Sequence, residues 1–165
     1  MKQRLNKNEK RELLAYIKER FGIGEELFEN YGFFRTKEKF YICSEACVKN
    51  EHFGRAETGG LAFARPNKHL KPTTDMLQLF GKHAKKNIAE LGKEYAEKFI
   101  RGEDIIFDKS ERQESQESQE KPAAFEEGFV IVKYKGHILG CANFSRGSLK
   151  NLIPKSRRVR IKWEL

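Results

Sequence analysis

Residues 128–160, GFVIVKYKGHILGCANFSRGSLKNLIPKSRRVR, decide the fold. The run Phe129-Val130-Ile131-Val132-Lys133-Tyr134 is rich in β-branched and aromatic side chains, and Lys135-Gly136 supplies a turn. A second apolar run, Ile138-Leu139-Gly140-Cys141-Ala142, follows at once, so the pair reads as a β-hairpin. Behind it come Arg146, Lys150, Lys155, Arg157, Arg158, Arg160 and Lys162, opposed only by Glu164. A rigid hairpin followed by so dense a set of cations suits a polyanion, and RNA is the commonest one. Alternation over Arg158–Trp163 predicts a closing strand with Val159, Ile161 and Trp163 on one face and Arg158, Arg160 and Lys162 on the other. Short strands with one small helix suggest a compact barrel.

Upstream of the hairpin, residues 93–101 place Tyr95, Ala96, Phe99 and Ile100 on one face of a helix, closed by Gly102. Residues 88–91 and 104–107 read as short strands on either side of it. Between them and the hairpin, residues 108–121, DKSERQESQESQEK, have no apolar side chain to bury, so they read as a disordered acidic loop. An acidic mimic competing for the basic surface is the functional alternative.

The first half of the chain has a different texture. Leu13, Leu14, Ile17 and Phe21 are spaced three and four apart and predict an amphipathic helix over 7–21, ended by Gly22. A helical turn is expected at Glu25–Glu29. The stretch YGFFRTKEKFYICS reads as a hairpin around Thr36–Lys39, with Ser44 capping a short helix through Lys49. Leu61–Arg65 and Lys68–Lys71 read as strands, and Thr73 or Thr74 caps a helix over Asp75–Lys82.

With 165 residues, 35% charged and 38% apolar, the composition is that of a soluble globular protein. A net charge of +9 favours an acidic partner, nucleic acid or an anionic membrane surface. No apolar run reaches the roughly 20 residues that span a bilayer. The first helix lacks the arrangement of an interfacial anchor, and MKQRLNKNEKRE lacks the apolar stretch of a signal peptide. Three cysteines form no disulfide framework. The expectation is a cytoplasmic protein.

Catalytic chemistry is not evident. Cys43, Cys47 and His52 form a C-x3-C-x4-H cluster, but a structural zinc site needs a fourth ligand and none is near in sequence. Cys43 and Cys47 read more simply as core residues. His69, His83 and His137 stand apart from any Ser, Cys or carboxylate at catalytic spacing. Gly54, Gly59 and Gly60 belong to no phosphate loop. The expectation is a protein without catalytic residues, metal or cofactor.

Two segments resemble a known family. AEKFIRGED (Ala96–Asp104) is similar to the helix-and-strand signature of PUA domains, small RNA-binding pseudo-barrels. Lys135–Arg158 resembles the closing part of the PUA-like domain of Sun-type RNA cytosine-5 methyltransferases. In that family an apolar "LG" strand precedes a G-x-L-K-N-x-x-P-K element, here filled by Gly147, Leu149, Lys150, Asn151, Pro154 and Lys155. Upstream, KFYICSE, FGRAETGGLAFAR and LKPTTDMLQLF are similar to the segment that joins core and PUA-like domain in those enzymes. The layout also resembles that of Nip-seven, a small ribosome-biogenesis factor.

The resemblance implies an α+β protein: a small N-terminal α/β domain (residues 1–84) and a PUA-like β pseudo-barrel (residues 85–165) carrying the acidic loop 108–122. It implies that Gly102, flanked by Lys98 and Arg101, lets RNA approach the backbone closely. Lys150, Asn151, Lys155, Arg157 and Arg158 form a second patch, extended by Arg146 and Arg160, in which cations neutralise phosphates and Asn151 reads a base edge or 2′-hydroxyl. The enzymes' Pro-Cys nucleophile is missing: Cys43, Cys47 and Cys141 follow Ile42, Ala46 and Gly140. What remains implied is the RNA-binding part alone, acting on rRNA or tRNA in ribosome biogenesis or RNA modification. The alternatives are a module docking a separate methyltransferase or assembly factor, and an enzyme with an unrecognised site.

Overall fold

The computed structural model describes residues 3–49, 59–66, 69–107 and 126–159. The protein is mixed α+β and divides into two compact units, Met1–His83 and Ala84–Leu165.

In the first unit, α1 (Lys7–Phe21) starts at a reciprocal capping box between Asn6 and Glu9 and ends at Gly22, whose φ of 66° lies in the left-handed region. A 3₁₀ turn at Glu25–Phe28 leads into the hairpin of β2 (Tyr31–Arg35) and β3 (Phe40–Ser44). Ser44 Oγ then accepts from Cys47 N and caps α2 (Glu45–Val48). With β1 (Gln3–Arg4), β4 (Leu61–Arg65) and β5 (Lys71–Pro72) these strands form an antiparallel sheet in the order β1-β2-β3-β4-β5. Thr73 caps α3 (Thr74–Phe80). The strand expected at Lys68–Lys71 begins at Lys71 instead, and Lys68 lies outside the described residues. Edge-to-face contacts join Phe28, Phe33 and Phe63, with Phe80 tilted against Phe28, and these rings build the core.

The second unit is a sheet in the order β6-β8-β9-β10-β7 that curls into a half-barrel against one helix. Its strands are β6 (Ile88–Glu90), β7 (Ile105–Ile106), β8 (Gly128–Tyr134), β9 (His137–Ser145) and β10 (Ser148–Asn151), and the helix is α4 (Lys93–Arg101). Among the described residues only the β6–β8 pairing is parallel. The β8–β9 hairpin turns at Lys135 (φ 47°) and Gly136 (φ 76°), two left-handed residues matching the twist of the strands. Arg146 (φ 50°) and Gly147 (φ 81°) repeat the device and fold β10 back on β9. Leu91, Phe99, Ile105, Val130, Val132, Ala142, Leu149 and Ile153 form the core. The acidic loop lies outside the described residues. So does most of the expected closing strand; within them, Val159 N donates to Ile100 O of α4 at 2.9 Å rather than joining a sheet.

Candidate nucleic-acid interface

The candidate residues fall into two groups, one at the C-terminal end of α4 and one on the outer face of the sheet. Strand parity separates them. The register places Val130, Ala142 and Asn151 in one inward row, and Phe129, Asn143 and Lys150 in the neighbouring outward row. Lys150 is exposed, whereas Asn151 is only 7% exposed.

Asn151 therefore points into the fold. Its Nδ2 donates to Phe99 O (2.6 Å) and Glu103 O (3.0 Å), and its Oδ1 accepts from Ile153 N (2.9 Å). Its backbone N donates to Asp104 Oδ1 at 2.7 Å. Both amide protons and the carbonyl are spent inside the fold, which leaves nothing to read a base edge. Where the resemblance implied a recognition residue, the fold uses Asn151 to tie β10 to the end of α4.

That helix end is a Schellman turn. Gly102 N donates to Phe99 O (2.9 Å) and Glu103 N to Lys98 O (3.1 Å), with Gly102 at φ 94°. The space that a Cβ at Gly102 would fill is occupied by the Arg158 side chain, from Cδ to Cζ. Glycine is needed here because the Arg158 side chain approaches the backbone at this point. Arg158 Nε also donates to Ile153 O at 3.3 Å, and its charge sits at the negative end of the α4 dipole. These contacts bring the 3₁₀ turn Lys155–Arg157, which follows Pro154, to the end of α4. Lys155 and Arg157 are exposed there, and Arg101 is half-buried.

Lys98 is engaged in its own helix. Its Nζ lies 2.8 Å from Glu94 Oε1 and 5.5 Å from the Tyr95 ring centroid. The hydrogen bond and charge of Lys98 hold the Glu94 carboxyl below its ordinary pKa.

The outer sheet face carries Lys150 and, at the β9–β10 turn, Arg146. Both are exposed, and Arg146 N donates to Glu127 Oε1 at 3.3 Å. At about 3.3 Å per strand residue, the turn at Arg146 and the clamp at Asn151 stand roughly 16 Å apart. Arg160 lies outside the described residues. Among the described residues no three His, Cys, Asp or Glu side chains gather as metal ligands, and His52 lies outside them.

Residues 86–159 match the family model described as the methyltransferase RsmF PUA domain. Over these residues the second unit is similar to a PUA domain. The match runs from the residue before Asn87 through α4, both hairpins and the Asn151 clamp to Val159, and its family is one of PUA domains rather than catalytic domains. Comparison with curated proteins gives no match.

Sequence reading missed two features of the PUA-like unit. Asp104 acts as an acceptor for β10, and only its place after a glycine-ended helix could have suggested it. The strand Ser148–Asn151 was legible in principle from Arg146-Gly147, which forms a turn like Lys135-Gly136.

Proposed function

We propose that the protein binds structured RNA through its PUA-like unit, with rRNA as the first candidate and tRNA as the second. The observation that carries this reading is the match of residues 86–159 to a methyltransferase PUA domain. Charge supports it: residues 126–159 hold Lys133, Lys135, Arg146, Lys150, Lys155, Arg157 and Arg158 against Glu126 and Glu127 alone. Arg146, Lys150, Lys155 and Arg157 are exposed and serve as the phosphate contacts, joined by Arg101 and by Lys98 once it leaves Glu94. The protein acts as a stand-alone cytoplasmic RNA-binding factor in ribosome biogenesis or RNA modification. It has no methyltransferase activity of its own and works beside an enzyme or assembly factor made as a separate chain.

A salt titration of binding to a folded rRNA or tRNA fragment tests this. The logarithm of affinity should fall linearly with the logarithm of salt concentration, with a slope of about −3 to −5 for four to six phosphate contacts. Absence of binding at low salt sinks the proposal. Transfer of a labelled methyl group from S-adenosylmethionine by the isolated chain would refute the non-enzymatic part.

A further inference from the structure

We propose that the outward row Phe129–Asn143–Lys150 is a seat for unpaired nucleotides, so that the PUA-like unit takes single-stranded segments of its RNA. The inference rests on the RNA-binding reading and narrows it to a substrate class. The three residues are direct cross-strand neighbours: Phe129 pairs with Asn143, and Asn143 with Lys150. At about 4.8 Å between strands, the row spans roughly 10 Å, near the size of one nucleotide.

Each position supplies a different contact. Phe129 is half-buried, and its accessible part offers an aromatic surface to a base. Asn143 is half-buried, and its amide carries both a donor and an acceptor for a base edge. Lys150 is exposed and meets a phosphate, with Arg146 at the adjacent turn available for the next one. On the same outward face Ser145, Ser148 and Ile106 continue the surface, and Ile106 is 72% exposed. Ile131 and Cys141 lie on this face too but are buried, so the seat opens only toward the β9–β10 end.

Charge complementarity selects a polyanion as occupant. The face presents Lys150 and Arg146, and the nearby Glu127 accepts from Arg146 N. The aromatic and amide positions select unpaired bases, because a duplex hides its base faces in the stack and offers mainly phosphates and 2′-hydroxyls.

Fluorescence anisotropy with the full chain tests the seat, using a short oligouridylate and a blunt RNA duplex as probes. Phe129→Leu should weaken oligouridylate binding about tenfold and Asn143→Ala by a smaller factor, while duplex binding stays the same. Equal losses on both probes, or no loss in variants that melt like the parent, overturn the seat but leave general RNA binding standing. Failure of the parent to bind either probe overturns both. Should Phe129→Leu unfold, Asn143→Ala and crosslinking of the parent to thiouridine-substituted oligouridylate decide: adducts on 127–131 or 143–150 support the seat, and adducts confined elsewhere reject it. A dimer of the parent that dissociates in Asn143→Ala assigns the face to a second copy instead.

Discussion

The two cationic regions of the PUA-like unit differ in what their polar groups already hold. At the end of α4, Asn151 is bonded to Phe99 O, Glu103 O and Ile153 N, and Arg158 donates to Ile153 O while its side chain lies against Gly102. On the outer sheet face, Lys150 and Arg146 project from a strand and a turn fixed by register and left-handed residues, and their charged ends are exposed. Clustered charge in a sequence therefore divides into a part that assembles the domain and a part that stays exposed to solvent. Burial and hydrogen bonding, not residue type, draw the line between them.

The comparison breaks most readily at Asn151. Asn151→Ala takes their side-chain partner from Glu103 O and Ile153 N, while Phe99 O keeps Gly102 N, and at about 1–3 kcal/mol per unsatisfied group a loss of about 3 kcal/mol is expected in chemical denaturation. A variant as stable as the parent would remove the clamp. Next comes Gly102→Ala, which combines a left-handed φ with collision against Arg158 and should cost about 1–2 kcal/mol. Adding Arg158→Ala relieves the collision, so the double variant should be more stable than additivity predicts. Strict additivity would show that the two residues do not interact.

Substitutions on the outer face should move binding and leave stability alone. Lys150→Ala and Arg146→Ala are each expected to lower the salt slope of RNA binding by about one, with stability within about 0.5 kcal/mol of the parent. Loss of stability without loss of slope would reverse the assignment. Arg157→Ala should behave as they do, whereas pairing it with Arg158→Ala adds a stability loss from the α4 contact.

The smallest effect belongs to Glu94→Gln. It releases Lys98, so the salt slope should steepen by at most about one. Because the folded-state pKa of Glu94 is lowered, the pair's small contribution is complete above the carboxyl's ordinary range and is lost as pH falls through the folded value. Titration of Glu94 by NMR in the parent and in Lys98→Ala checks this, and an unchanged midpoint refutes the coupling.

Much of the fold was legible where local chemistry dictates structure. The helix Lys93–Arg101 with its glycine end, the helix Lys7–Phe21 and both long hairpins follow from spacing, caps and turn residues. The site was legible only as a list of cations. Asn151 looked like a recognition residue because its motif neighbours are Lys150 and Lys155, yet its partners Phe99 and Glu103 lie about fifty positions upstream. Gly102 was legible as a helix end, but the side chain packed against it, Arg158, comes from far along the chain. Long-range pairings of this kind leave no periodic trace.

The tight Arg146-Gly147 turn carries a consequence for how this chain tolerates length changes. Strands have two sides, and consecutive residues of β10 serve opposite masters: an ammonium in water and an amide sealed against a helix end. Deleting one residue between the turn and Lys150 would swap them, entombing the charge and drowning the amide. Codon-sized indels there should be far more damaging than most substitutions.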